Sequence, residues 1–193
     1  MNVTITTDVS VLHYAEISAY AYEIRCNDGV WRASALFNGY ISDVNAAEAA
    51  CIVNAIAFLC GLIKSKSISD VTYIVINTDN QKAIDGFSIA LRRPMPKKSV
   101  LKKNQRLFVY TSIKKYVSKY NLPTINFRYV QAHIPEDKRA ARNHINEWCD
   151  QESRRVARAA HKYVGRQIDR HLKDAHHEEN RKLFTNNWFR AKR

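Results

Sequence analysis

A change of pattern near Asp43 limits the possible folds of this chain more than any other feature of its sequence. Before it, the runs Val3–Val11, Glu16–Cys26 and Val30–Phe37 are rich in β-branched and aromatic residues, which favours strands. The sequence Asn-Asp-Gly at 27–29 is a tight-turn signal between the second and third runs. The three runs therefore predict an antiparallel meander.

After Asp43 the pattern becomes helical. An Ala-rich apolar segment from Ala46 to Leu62 predicts a helix capped by Ser42 or Asp43. Val71–Asn77 is a continuous apolar run, typical of a strand covered on both faces.

The rest of the chain alternates helix and strand. Helices are predicted at Gln81–Ala90 and Leu101–Tyr120, a strand at Pro123–Val130, and a last long helix from Asn143. The order β-β-β-α-β-α-α-β-α predicts an α/β fold in which an antiparallel meander joins parallel strands through helices.

The charge balance points to a polyanionic partner. The chain has 31 Lys and Arg against 18 Asp and Glu, a net charge of +13 at pH 7. Nucleic acid is the commonest partner for such an excess, and a basic surface without a ligand is the alternative. A hydrophobic content of 46% argues against a low-complexity or disordered chain.

Neither a membrane segment nor a disulfide framework is predicted. The N-terminal residues lack a signal-peptide pattern, and the longest apolar stretch, Ala46–Ile63, is interrupted by Glu48 and Asn54. The four cysteines form no CxxC pair and are interpreted as buried free thiols in a reducing compartment. We therefore expect a soluble cytoplasmic protein.

Four acidic residues interrupt uncharged segments: Asp8 in the first predicted strand, Glu48 in the Ala-rich helix, Asp79 after the buried-type strand, and Asp150 in the last helix. Each has an ordinary explanation as a sheet-edge charge, a helix N-terminal charge, a helix cap or a solvated helix face. Together they would supply the oxygen ligands that Mg²⁺ prefers, as a two-metal phosphodiesterase requires.

The segments around these acids resemble the type 1 ribonuclease H family. The matching segments are ITTDVS, NAAEAACIVNAI, INTDNQKAI, VQAHIPED and NEWCDQESRRVA. The resemblance implies a ribonuclease H-like α/β fold, with a five-stranded mixed sheet flanked by helices. It also implies that Asp8, Glu48, Asp79 and Asp150 form the active site and bind the metal. Val9 departs from the family, which usually has Gly there.

The resemblance further implies endonucleolytic cleavage of the RNA strand of RNA–DNA hybrids, giving 5′-phosphate and 3′-hydroxyl ends. The four carboxylates would hold two Mg²⁺ ions, for which Mn²⁺ can substitute. His133, on the loop after the fifth strand, matches the family histidine thought to assist proton movement or product release, and an ordinary surface histidine is the alternative.

Several other residues match positions that contact nucleic acid in the family. Asn45 and Gln81 fall where family members contact the minor groove of the hybrid. A basic stretch corresponds to the family's substrate-binding handle, with a solvated loop as the alternative reading. The cations assigned to binding in this basic stretch are Arg92, Arg93, Lys97, Lys98, Lys102 and Lys103.

The resemblance divides the chain into a catalytic domain, 1–160, and a basic helical C-terminal extension, 161–193. The extension is expected to bind nucleic acid, to dock on a polymerase or replication partner, or to pack on its own domain. The same fold hosts DNA-acting nucleases such as junction resolvases, integrases and transposases. A non-catalytic nucleic-acid-binding module is a further alternative, although burying like charges together without a metal is costly.

Overall fold

The computed structural model describes residues 1–132, 134–138 and 140–190, and their side chains except at 98, 102, 103, 105, 106, 136 and 168–190. The chain divides into two compact units, Met1–Ala157 and Arg158–Arg193. The sheet and the helical segments packed on it belong to the first unit. The roles assigned to 1–160 and 161–193 stay predictions.

The first unit is built on a five-stranded mixed sheet with the strand order β3-β2-β1-β4-β5. The strands are β1 (Asn2–Leu12), β2 (Ile17–Cys26), β3 (Gly29–Leu36), β4 (Tyr73–Thr78) and β5 (Ile125–Tyr129). The first three strands are antiparallel, and β4 and β5 run parallel to β1. The predicted meander followed by parallel strands is therefore confirmed.

Five α-helices accompany the sheet in the described part of the chain: α1 (Val44–Lys64), α2 (Gln81–Arg92), α3 (Lys98–Lys103), α4 (Gln105–Tyr120) and α5 (Ala141–Arg190). Asp43 caps α1, since its carboxylate accepts a hydrogen bond from the backbone N–H of Asn45 at 3.0 Å. This cap fixes the first turn of the helix that carries Glu48.

The single helix predicted over Leu101–Tyr120 was wrong. The chain instead forms α3 and α4, which are separated at Asn104, whose φ is −132°. The Asn104 side chain accepts a hydrogen bond from the backbone N–H of Leu107 at 2.9 Å and so caps α4. A short Asn side chain that can bond the backbone favours a cap over a helix interior, which explains the break.

One face of the sheet is apolar and is covered by α1. Val3, Ile5 and Ile24 on the sheet and Ile52 and Ile56 on α1 are completely buried. By length and a mean hydropathy of 2.0, α1 would be long and apolar enough to cross a membrane, but 56% of this window is buried inside the protein. Packing in the core accounts for its apolar character.

The other face of the sheet is polar and is covered by the first turns of α5. Thr6 pairs with Glu23 on β2 and with Asn77 on β4, and all three side chains are buried. The Cys149 Sγ of α5 donates to the Thr6 backbone oxygen at 3.5 Å. Because side chains alternate along a strand, Asp8, two residues after Thr6, lies on this same polar face.

A close approach of α2 to α4 requires glycine at position 86. A Cβ atom there would lie 2.4 Å from the Cζ atom of Tyr110. The Tyr110 ring packs edge-on against Phe87, with 4.9 Å between ring centroids. This contact sets the position of α2, the helix that follows Asp79.

Candidate metal and nucleic-acid site

Three of the predicted acids come together at one end of the sheet. One carboxylate oxygen from each of Asp8, Glu48 and Asp79 lies within 4.8 Å of the other two. The parallel register pairs Thr6 with Asn77, so that Asp79, just past β4, comes level with Asp8. Glu48 joins them from the first turns of α1. We call these three residues the acidic cluster.

Burial and mutual repulsion dominate the electrostatics of the acidic cluster. Asp8 is 6% exposed and Glu48 3%. Burial raises the pKa of the Asp8 carboxyl well above its usual value, and the charges of Asp79 and Asp150 raise it further. Burial likewise raises the pKa of Glu48, with added contributions from Asp8 and Asp79. The cluster thus favours binding of a proton or a cation.

The donor set fits a divalent cation. Within the described residues, the buried Oε2 atom of Glu48 has no hydrogen-bond partner. A buried carboxylate oxygen without a partner is costly, and a bound cation would satisfy it. All three ligating groups are carboxylates, which Mg²⁺ and Mn²⁺ prefer over softer ligands. The residues of the cluster are therefore suited to holding such ions.

Asp150 lies at the same cleft but outside the acidic cluster. Its Oδ1 atom accepts from the Nε of Arg154, one helical turn later, at 2.8 Å, and its side chain is 21% exposed. Its charge contributes to the raised pKa of Asp8, which shows that the two carboxylates are electrostatically close. The structure thus brings three of the four predicted ligands into one cluster and pairs the fourth with an arginine.

The acidic cluster opens into a cleft of about 710 Å³. Polar side chains from α1, α2, α5 and the segment after β5 surround the acids. The polar residues that line the cleft beside the acids are Asn45, Asn80, Gln81, Lys82, Gln131, Asn143, Asn146, Glu147, Gln151 and Arg154. A cleft of this kind offers both acceptors and donors to a polar ligand next to the acids.

The predicted groove-contacting residues, Asn45 and Gln81, both lie in this cleft. The Oδ1 atom of Asn45 accepts from the Nδ2 of Asn80 at 3.2 Å, and its Nδ2 donates to Asp43 at 3.3 Å. The Nε2 of Gln81 donates to Asp85 at 2.9 Å. The structure therefore orients the amide of Asn45 and places Gln81 in the same cleft.

Among the cleft residues that sequence reasoning missed, three make contacts that help to build the site. Asn80 caps α2 by accepting from the Ala83 N–H at 3.0 Å, and an Asn directly before a helix was the available signal. Arg154 was signalled by its spacing of four from Asp150. Asn143 donates through Nδ2 to the Gln131 backbone oxygen at 3.2 Å and so ties the segment after β5 to α5, which no sequence pattern indicated.

The remaining predicted residues lie outside the cleft or outside the described residues. His133 is not among the described residues, although its neighbours Ala132 and Ile134 line the cleft. In the basic stretch, Arg92, Arg93 and Lys97 are exposed and are not part of the cleft lining. The side chains of Lys98, Lys102 and Lys103 lie outside the described residues.

No protein-family model and no curated protein sequence matches this chain. Solved structures do match it. LC11-RNase H1 in complex with an RNA/DNA hybrid superposes with a TM-score of 0.56 and 16% sequence identity, over 82% of this chain and 98% of that one. This chain has the ribonuclease H fold.

Two further structures share the ribonuclease H fold with this chain. The N-terminal ribonuclease H domain of a Mycobacterium tuberculosis protein matches with a TM-score of 0.54 and 16% identity, over 84% of this chain and 98% of that chain. The RNase H1 of Halobacterium salinarum matches with a TM-score of 0.52 and 13% identity, over 81% and 97%. These likenesses confirm the predicted fold, and the acidic cluster lies where β4 ends next to β1.

Proposed function

We propose that this protein is a divalent-metal-dependent endoribonuclease that cleaves the RNA strand of RNA–DNA hybrids and leaves 5′-phosphate and 3′-hydroxyl ends. The observation that carries the proposal is the acidic cluster, in which three carboxylates converge on a ribonuclease H fold and one buried oxygen has no partner. The complex of LC11-RNase H1 with an RNA/DNA hybrid supports the hybrid as substrate.

The acidic cluster would hold two Mg²⁺ ions, or Mn²⁺ in their place, with Asp150 joining from α5. When bound, such ions lower the pKa of the attacking water and stabilise the charge that develops on the leaving 3′ oxygen. Asp8 and Glu48 supply buried oxygens whose mutual repulsion favours a cation. Arg154 orients the Asp150 carboxylate through their 2.8 Å ion pair.

Substrate binding would use the polar residues of the cleft and the exposed cations. Asn45 and Gln81 would contact the minor groove, where RNA presents its 2′-hydroxyls. The exposed Arg92, Arg93 and Lys97, with Lys98, Lys102 and Lys103, would bind phosphates. Such contacts carry no base information, so little sequence preference is expected.

Three features remain predictions from the sequence alone. The first is that His133 assists proton movement or product release, which an imidazole can do because it titrates near neutrality. The others are a polymerase or replication partner that binds 161–193, and a cytoplasmic location.

The proposal is tested by incubating the purified protein with Mg²⁺ and a labelled RNA–DNA hybrid. Duplex DNA, single-stranded RNA and duplex RNA are incubated in parallel. Asp79→Asn removes a ligand of the cluster, and Asp28→Asn, in the exposed turn between β2 and β3, is the matched control. We expect hybrid-only cleavage that Asp28→Asn retains and Asp79→Asn loses.

The other outcomes each reject the proposal in a defined way. Cleavage of duplex DNA would make the protein a DNA-acting nuclease of the same fold. Binding without cleavage of any substrate would make it a non-catalytic nucleic-acid-binding module. Cleavage that survives Asp79→Asn would place the chemistry outside the acidic cluster.

A further inference from the structure

Positive charge is concentrated in the second unit of the chain. Residues 158–193 contain ten Lys and Arg and four Asp and Glu, a net charge of +6 out of +13 for the whole chain. Almost half of the excess charge thus belongs to less than a fifth of the residues. Where its side chains are described, at 158–167, this unit contributes no residue to the acidic cluster or to the cleft lining.

Three of these cations form a row on one helix. Arg158, Lys162 and Arg166 are spaced four residues apart within α5, and all three are exposed. Residues four apart lie on neighbouring positions of one helix face, and a rise of 1.5 Å per residue makes the row about 12 Å long. We call these three residues the basic row.

The basic row differs from the two arginines that precede it. Arg154 is paired with Asp150 at 2.8 Å, and Arg155 with Glu152 at 2.7 Å. The pairing with Arg155, with a hydrogen bond from Ser34, lowers the pKa of Glu152 to about 2. Residues 158–167 contain no Asp or Glu, and no described acidic side chain elsewhere forms an ion pair with the basic row.

A row of exposed cations that has no ion-pair partner among the described side chains matches the charge pattern of a nucleic-acid strand. One strand of a duplex carries a phosphate about every 3.4 Å along the axis, so a 12 Å row faces three or four phosphates. Contacts of this kind release counterions and add affinity without reading the bases. An anionic lipid surface is also attractive to cations, but the same chain carries the proposed nuclease site.

We infer that the basic row binds the phosphate backbone of a nucleic-acid duplex and adds to the affinity of the protein for its substrate. The inference rests on the proposed function in one respect, namely that the ligand is nucleic acid. The basic row takes no part in the cleavage step. It provides a second, sequence-independent contact in addition to that of the cleft.

The test measures the salt dependence of binding with the full chain. Asp79→Asn is present in every protein so that the duplex is not cut. Fluorescence anisotropy with a labelled RNA–DNA hybrid, and with duplex DNA of the same sequence, gives the slope of log K against log salt. The row variant combines Arg158→Gln, Lys162→Gln and Arg166→Gln.

A charge-matched control separates local contacts from net charge. It combines Lys64→Gln, Lys66→Gln and Lys119→Gln, three exposed lysines at the ends of α1 and α4. We expect the slope of the row variant to fall in magnitude by about 2 to 3, since each phosphate contact contributes about 0.9. The control should keep a slope close to that of the parent.

A second variant guards against a loss of helical structure. Arg158→Lys with Arg166→Lys keeps the charges and should retain the slope of the parent, because the slope depends on how many phosphates are neutralised by Lys or Arg. Circular dichroism of each variant gives its helix content. A row variant with parental helix content and a slope equal to that of the control overturns the inference.

The arms also distinguish failure of this inference from failure of the proposed function. Cleavage is measured with the protein that keeps Asp79, and binding with the Asp79→Asn proteins. A smaller slope in the row variant, together with no cleavage of the hybrid, would support the binding role of the basic row and reject the nuclease activity. Cleavage of the hybrid, together with equal slopes for the row variant and the control, would support the nuclease activity and reject the binding role of the basic row. Binding to vesicles of anionic lipid is measured for the parent and the row variant as a further arm. If the row variant loses vesicle binding but keeps the parental salt slope on nucleic acid, the row binds a membrane surface and the inference is overturned.

Discussion

Two buried glutamates on opposite sides of the central strand meet opposite electrostatic surroundings. Glu23, on β2, is 1% exposed, and its two carboxylate oxygens accept from Arg25 at 2.9 Å and from Arg32 at 2.7 Å. Glu48, on α1, is 3% exposed, but its neighbours are the carboxylates of the acidic cluster and its Oε2 atom has no partner among the described residues.

The difference shows how one fold uses the same residue type in two ways. The charge of Glu23 is compensated within the protein, and Arg32 also lies 4.7 Å from the ring centroid of Trp148, which joins the sheet to α5. For Glu48 the described residues supply no such pairing, so a proton or a cation from solution would compensate its charge. We therefore expect Glu23 to support the folded sheet, and Glu48 to lower stability while the acidic cluster holds no cation.

The largest expected effect is on cleavage. Glu48→Gln should lower the rate of hybrid cleavage at saturating Mg²⁺ by about a hundredfold or more. The reason is that bound metal ions stabilise the charge that develops in the transition state by several kcal/mol. Glu23→Gln should change the cleavage rate by less than about threefold under conditions in which the variant is folded. Initial rates of both variants measure this, and a Glu48→Gln variant within tenfold of the parent would contradict a ligand role.

The next effect is on stability, and the two glutamates should change it in opposite directions. Glu23→Gln removes the partner of two half-exposed arginines and should lower the free energy of unfolding by about 2 kcal/mol. Glu48→Gln removes a buried like charge and should raise it in metal-free protein at pH 7. Urea denaturation of both variants in EDTA compares them. A loss in both would show that Glu48 also has a structural role.

Most of the fold follows from sequence patterns that are local. The Thr-rich and β-branched runs, the turn at 27–29 and the Ala-rich segment after Asp43 each indicate their own element. The break at Asn104 was not predicted, because Leu101 before it and the helically spaced Leu107 and Tyr110 after it were interpreted as one helix. Whether an Asn interrupts or joins two helical segments depends on packing, which the pattern does not contain.

The acidic site was predictable only in part, because charge pairing is a tertiary property. Asp8 and Glu23 both interrupt strand-like runs, and the sequence does not distinguish them. The register of β2 with β3 places Arg32 opposite Glu23, whereas that of β1 with β4 carries Asp79 to Asp8. The same holds for Asp150, whose spacing from Arg154 indicates an ion pair while its place in the fold indicates the cleft.

The pH dependence of stability gives a third test of the comparison. The pKa values of Asp8 and Glu48 are raised in the folded state. At a pH between the ordinary and the raised pKa, the folded protein therefore binds more protons than the unfolded chain. Stability from this source is present below the ordinary pKa and is lost as pH rises through the raised one, by at most about 1.4 kcal/mol per pH unit for each proton.

The measurement is the difference in unfolding free energy between Glu48→Gln and the parent, both free of metal, from pH 5 to pH 8. We expect this difference to grow in favour of the variant as pH rises, since the variant keeps a neutral group. Glu23→Gln, measured in the same way, controls for the background charge of the chain. A difference that stays constant with pH would mean that Glu48 does not bind a proton in the folded state.

The smallest expected effect is the stabilisation by added metal, and it returns to the two glutamates directly. A ligand that binds only the folded protein raises the free energy of unfolding by RT ln(1 + [L]/Kd), which is about 0.8 kcal/mol at three times Kd. Mg²⁺ should stabilise the parent and Glu23→Gln by similar amounts, because Glu23 is already neutralised by arginine. Glu48→Gln should lose most of this gain, since it lacks the carboxylate oxygen that has no partner in the described structure.

Thermal melts with and without Mg²⁺, at constant ionic strength set by KCl, measure the shift in melting temperature of the three proteins. Equal shifts in all three proteins would place the Mg²⁺ on the surface and remove Glu48 from the metal site.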